Sequence, residues 1–487
     1  TEFDTPNLTR FAARATRFTN HQTGSLPCMP ARHDLLCGAL DFLWRPWGSI
    51  EVWEDALTFE LRKAGVVTQL ITDHPHLFEV GGENYHTDFR AWSYERGHES
   101  DPWKTRADDS WLGAPSFGRG HTHYDDSRGW FRDEADFPGP RTMAATAKWL
   151  LEDAPVHRGR GERFMVFVDE FDPHEPFDTP APWSGMYEET PWEGDDLIWP
   201  PYADGALSAG TLSEAEGRRI RNNYGSKLSM IDHWFGRILD VFDRQNLWAD
   251  TALVVCTDHG HYLGEQRQGR DIWGKPDVPQ YEPLGHIPLL VAWPGRPGGV
   301  DIDSLTTSVD IHATLLDVFG AEARYQTHGR SLVPLIEGRV NSIRDWAIGG
   351  VYGRWVQVTD GRHKYARAAT VDGFPLEMWS NRWSTMPIHG MSHIQLPMPD
   401  DWATLDRMPG SDIPVIRQPF AAGDRVPFWA TSQRHVGEHH CYDLSVDPGE
   451  SENRASERVA DQMVELLREA LTAVEAPAGQ MTRLGLA

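Results

Sequence analysis

Short apolar runs that each lead into a polar cluster constrain this chain most. Met165-Val166-Phe167-Val168 is followed by Asp172-Pro173-His174, and Ala252-Leu253-Val254-Val255-Cys256 by Thr257-Asp258-His259-Gly260-His261. A third run, Ile287-Pro288-Leu289-Leu290-Val291, follows Gly274-Lys275. Runs this short, apolar at every position, are the pattern of strands covered on both faces. Between them the spacing predicts a helix over about 213–240. Ser213 and Glu216 form a capping box, and Tyr224, Leu228, Ile231, Phe235, Ile238 and Phe242 recur at steps of four and three. Strands alternating with helices predict an α/β sheet sandwiched by helices. In open sheets of this kind ligands sit beyond the carboxyl ends of strands, so the polar cluster after residue 256 marks a candidate site.

The pattern changes near residue 345. Short strand-like pieces (Trp355 to Val358, Lys364 to Ala366) precede a Pro-, Met- and Trp-rich stretch from Phe374 to Phe428, and helical spacing returns over Ala455 to Val474. The division expected is an α/β domain over 1–345 and a smaller α+β domain over 346–487. Its long loop, carrying Trp379 and Trp383, is expected to overhang the site. With 487 residues such a pair of cores is affordable in size.

Charge and composition exclude some functions. A formal net charge of -26 opposes nucleic acid as a partner, although a metal ion or a few cations can reverse the field inside one pocket. No stretch approaches the roughly 18 apolar residues of a membrane span. Four cysteines (Cys28, Cys37, Cys256, Cys441) are too few for a disulfide framework and form no CxxC pair. A cytoplasmic or a periplasmic setting fits this composition, with the cytoplasmic one preferred, and oligomer formation is left open.

Each polar cluster taken alone has an ordinary structural explanation. A lone Cys is by default a small buried hydrophobe, Asp-Pro-His a turn, and Asp-His-Gly an Asx-type loop. Asp258 and His259 together read better as metal ligands at a strand end.

Their order along the chain resembles the sulfatase family. Thr5-Pro6-Asn7-Leu8, Arg17-Phe18-Thr19-Asn20 and Cys28-Met29-Pro30-Ala31-Arg32 through Gly38 resemble the family's opening. Its C-x-P-x-R core is the signal by which the cysteine is oxidised to formylglycine. Asp172 to Phe177, Thr257 to Gly260 with Leu263-Gly264-Glu265, Gly274-Lys275, Tyr281-Glu282-Pro283 and His286 to Leu289 follow in the family's order. So do Val309-Asp310-Ile311, Gly329-Arg330-Ser331 and Tyr442-Asp443-Leu444 with Asp447-Pro448-Gly449-Glu450.

The resemblance implies an alkaline-phosphatase-like mixed sheet and hydrolysis of a small aryl or sugar sulfate. Formylglycine at position 28, made by a formylglycine-generating enzyme, hydrates to a diol that a divalent cation activates for attack on sulfur. It assigns Cys28, Arg32, His174 and Lys275 to catalysis. It assigns Asp258, His259 and residue 28 to the metal, calcium by family and manganese by virtue of the nitrogen ligand. Where many members carry a Lys-x-His sulfate grip, this chain has Thr72-Asp73-His74-Pro75-His76, leaving His74 or His76 to bind sulfate. The family's first strand, with its paired metal-binding aspartates, would precede Thr5, so residues upstream of Thr1 are expected. Two rivals share the motif: a phosphonate monoester or phosphodiester hydrolase, and a non-catalytic glycan- or anion-binding protein.

Overall fold

The computed structural model describes residues 2–108, 110, 122–194, 197–325, 327–370, 373–384, 399–421, 424 and 437–487. The predicted apolar runs are strands. Phe164–Asp169 lies parallel to Val67–Thr72, which is also parallel to Ala91–Tyr94 on its other side. Leu253–Cys256 is antiparallel to Leu289–Ala292, which continues to Thr16–Phe18 and Val300–Ile302. The sheet expected from sequence is thus two sheets among the described residues, with Phe164–Asp169 and Leu253–Cys256 as edge strands. Phe167 nevertheless packs in one apolar cluster with Val254 and Cys256.

Period-two alternation sorts the strand residues between two helical layers. Leu253, Val255 and Leu290 face the helices Glu214–Arg244 and Pro138–Glu152, in a cluster with Phe11, Ile231, Phe235, Ile238 and Phe242. The capping box forms as predicted: the Ser213 hydroxyl accepts from the Glu216 N–H, and the Glu216 carboxylate accepts from the Ser213 N–H. Burying the four predicted apolar side chains from Ile231 to Phe242 stabilises this layer by roughly 1.5–3 kcal/mol each. On the opposite side Leu36, Leu57, Leu61 and Leu316, from the helices Cys28–Cys37, Leu57–Lys63 and Ser308–Phe319, pack on Leu70.

A five-stranded sheet runs His440–Asp443, His363–Arg367, Val356–Thr359, Ala347–Val351 and Ser25–Leu26, covered by the helix Arg458–Ala473. The last of these strands comes from the N-terminal end of the chain and stops just before Cys28. The buried Lys364 ammonium bridges Glu282 (2.7 Å) and Glu450 (2.5 Å), and Glu450 also accepts the Glu282 N–H. One buried cation therefore ties two distant sequence motifs together.

Two expectations for the Phe374–Phe428 stretch need revision. Leu376–Ser380, Thr404–Arg407 and Pro414–Phe420 form a three-stranded sheet, not a long loop. Trp379 is a core residue, packed edge-to-face on Trp44 with ring centroids 5.2 Å apart. Its indole has more apolar surface to hide than a rim position would cover. Residues 385–398, 422–423 and 425–428 of the stretch lie outside the described residues. No helix of the described residues is long and apolar enough to cross a membrane.

Candidate active site

Cys28 is the first residue of the helix Cys28–Cys37, so it meets the unpaired N–H groups and positive dipole end of that helix. Its Sγ lies 3.3 Å from His259 Nε2 and 3.9 Å from Lys275 Nζ. Burial pushes the thiol up to about 11 despite the nearby cations. An unmodified cysteine here is a protonated, weak nucleophile at neutral pH.

Arg32, one helical turn on, returns toward Cys28 and donates from Nη1 to its carbonyl at 3.1 Å. The same guanidinium forms a two-bond fork with Asp169 (2.8 and 2.7 Å) and reaches Asp258 Oδ2 at 2.6 Å. Asp169 ends one edge strand and Asp258 follows the other, so Arg32 joins their carboxyl ends. Burial opposes ionisation of both carboxyls, yet Arg32 with His74 for Asp169, and His259 with Arg32 for Asp258, hold them far below the usual range.

His259 donates from Nδ1 to the Gly260 carbonyl at 2.7 Å, which leaves Nε2 as a lone-pair donor facing Cys28 and Asp258. A Cβ on Gly260 would sit 1.8 Å from the Pro283 carbonyl oxygen, so glycine is needed for this close backbone approach. His174 is fixed the same way. Its Nδ1 donates to the Glu175 carbonyl at 2.7 Å, and its Nε2 accepts from Lys275 Nζ at 3.1 Å. Burial pushes His174 down to about 3, which keeps it neutral. Burial opposes the charge on Lys275 too, but Cys28, Glu175, Asp258 and Glu99 outweigh it and raise its pKa.

The structure therefore brings Cys28, Arg32, His174, Lys275, Asp258 and His259 to one place. His74 is also near: it is fully buried, stacks on Phe171 and lies 3.4 Å from Asp169. His76 is held differently, between Glu79 (2.9 Å) and Glu99 (3.1 Å), and these carboxylates overcome burial to raise it to about 9. Sequence reasoning missed Asp169 and Glu99. The first carried a usable signal, a carboxylate at the end of a predicted strand. The second sits in a loop at positive φ without any.

Ligand atoms of Cys28, Asp258 and His259 all lie within 4.8 Å of one another. This mixed donor set, with one ring nitrogen already bare of hydrogen, fits a divalent cation.

Fold and site together define an alkaline-phosphatase-like α/β hydrolase in which Cys28 heads a helix among the clustered polar side chains. The family model of the sulfatases matches residues 2–321, and the chain belongs to the sulfatase family. It is 26% identical over 398 residues to choline-sulfatase of Rhizobium meliloti, covering 75% of this chain and 73% of that protein. It is 25% identical over 395 residues to the multifunctional alkaline phosphatase superfamily protein PehA of Trinickia caryophylli, covering 70% and 73%. Among solved structures, the phosphonate monoester hydrolase of Agrobacterium radiobacter superposes with a TM-score of 0.61 at 18% identity, covering 98% of this chain and 91% of that one. A glycosaminoglycan-metabolism sulfatase of Bacteroides thetaiotaomicron gives 0.63 at 16% identity, covering 99% and 92%.

Proposed function

We propose that this chain hydrolyses the sulfate ester of a small molecule, with residue 28 as nucleophile after oxidation of Cys28 to formylglycine. The observation that carries the reading is the convergence of Lys275, His174 and His259 on residue 28 at a helix N-terminus. The Lys275 ammonium and the N–H groups of the helix N-terminus are the kind of donors that hold a tetrahedral anion. Membership of the sulfatase family and the likeness to a choline-sulfatase support a sulfuric ester substrate.

Asp258, His259 and residue 28 would hold the divalent cation, calcium or manganese, which when bound lowers the pKa of a hydroxyl beside it. A hydrated aldehyde at position 28 supplies two hydroxyls on one carbon, one to attack and one to expel the sulfate afterwards. Arg32 holds residue 28 through its carbonyl and keeps Asp258 ionised. Lys275 Nζ lies 3.9 Å from Cys28 Sγ, and His174 Nε2 faces it as acceptor. That pair binds sulfate oxygens and passes one proton to the departing alkoxide. His74 or His76 binds the sulfate in this reading. The chain is read as two units, 1–345 and 346–487, with a formylglycine-generating enzyme as the partner that matures it.

Peptide mass spectrometry of active protein tests the nucleophile. The residue at 28 should carry an aldehyde while Cys37, Cys256 and Cys441 remain thiols. Full activity from protein holding only an unmodified thiol at 28 would overturn the proposal. A phosphonate monoesterase is the second reading, favoured by the superposition on the Agrobacterium hydrolase. Its test is a leaving-group-matched pair of sulfate and phosphonate esters.

A further inference from the structure

The helix that starts at Cys28 carries a second ligand-bearing face at its other end, and the proposed reaction makes no use of it. His33 and Cys37 stand four residues apart, hence on one face. Glu54 meets them from the following segment, and ligand atoms of the three all lie within 4.8 Å of one another. The site lies up to about 13 Å from Cys28 along the helix axis, at 1.5 Å per residue.

Three observations point to an ion at this place. The His33 ring is fully buried, with Nε2 2.8 Å from Glu54 Oε1, while Nδ1 has no hydrogen-bond partner and lies 3.9 Å from Asp41 Oδ2. That nitrogen faces a thiol and a second carboxylate, both of them able to ligate a metal. The buried carboxylates also outnumber their cationic partners: Asp41, Glu51 and Glu54 face only Arg45 and His33 among their ion-pair partners in the described residues. Finally, a cavity of about 50 Å³ reaches Cys37, Asp41 and Glu54 and is bounded outside by Arg324, Tyr325 and Met408, which gives an ion a route inward.

We propose that His33, Cys37 and Glu54, with Asp41 beside them, form a second metal site for a divalent cation of the zinc type, distinct from the catalytic centre. Sulfur, nitrogen and oxygen donors together are the set this borderline ion accepts, and a thiolate among them disfavours the hard calcium ion. Binding forms metal–sulfur, metal–nitrogen and metal–oxygen bonds and releases to solvent the Cys37 thiol proton and the imidazole proton that His33 holds between Asp41 and Glu54.

Cobalt(II) is the probe, because a thiolate ligand gives a charge-transfer band that oxygen and nitrogen ligands do not. Chelator-treated full-length Cys28→Ala removes the catalytic thiol, so any such band must come from another cysteine. That protein should take up cobalt with a thiolate band, and the band should vanish in Cys28→Ala/Cys37→Ala and in the larger Cys28→Ala/Cys37→Thr. His33→Gln in the Cys28→Ala background should weaken cobalt binding at least about tenfold. A band that persists in both double variants, or no band in Cys28→Ala, would overturn the proposal. A second arm needs no substitution: zinc should slow alkylation of Cys37, followed by peptide mass spectrometry, and an unchanged rate would count equally against it.

Discussion

Replacing Arg32 by alanine tests how the two strand ends are held. The guanidinium is buried and makes a fork to Asp169 and a third bond to Asp258, all between 2.6 and 2.8 Å. Removing one partner of a buried ion pair costs about 3–5 kcal/mol, because the surviving charge is left in a poor solvent. Here two carboxylates survive, with His74 3.4 Å from Asp169 and His259 3.4 Å from Asp258. The loss should therefore reach at least that range in metal-free protein at pH 7. The pH dependence fixes the cause. Asp169 and Asp258 have folded pKa values below their unfolded ones, so their contribution is present above about pH 4 and is lost as pH falls toward the depressed values. In Arg32→Ala, Asp169 loses its largest opposing partner and Asp258 one of its two, so both pKa values move up and the variant sheds its penalty by protonation. Thermal or urea unfolding of chelator-treated wild type and variant, followed from pH 8 to pH 4, should show a gap that narrows as pH falls. A gap below about 1 kcal/mol, or one that stays constant with pH, would refute the electrostatic account.

Other outcomes follow from the same geometry. Cys28→Ala should abolish turnover while leaving the thermal transition close to wild type, which calorimetry and an ester assay would check together; residual turnover would move the nucleophile elsewhere. His174→Ala should slow esters with poor leaving groups more than good ones, since proton donation matters most there, and a leaving-group series reads the slope directly. Trp379→Ala should cost about 3–5 kcal/mol as a core truncation and leave KM unchanged, and a changed substrate ranking would contradict its placement.

The helix Glu214–Arg244 was legible because its start is written locally, in the Ser213–Glu216 capping box, and its buried face in a long 3.6-residue period. The strand Leu253–Cys256 was legible because a strand covered on both faces excludes polar residues. The site was legible wherever motif order, not local pattern, placed it: nothing near Lys275 predicts that it meets His174 and Cys28. Asp169 escaped because the strand was read for its apolar residues alone. Trp379 was misplaced for the opposite reason. Proline, methionine and tryptophan were taken as loop composition, whereas strand pairing buried the indole against Trp44, 335 positions earlier in the sequence. The Lys364 bridge to Glu282 and Glu450 lies beyond sequence pattern altogether, since its partners are 82 and 86 residues away.

The most direct test of the central claim is sulfate release from an aryl sulfate, compared with turnover of the phosphonate monoester carrying the same leaving group. Protein whose residue 28 is shown by mass spectrometry to be an aldehyde should be used for both. The account predicts the higher kcat/KM for the sulfate, with both activities lost in Lys275→Ala. A clear preference for the phosphonate, or sulfate turnover that survives without the aldehyde, would contradict it.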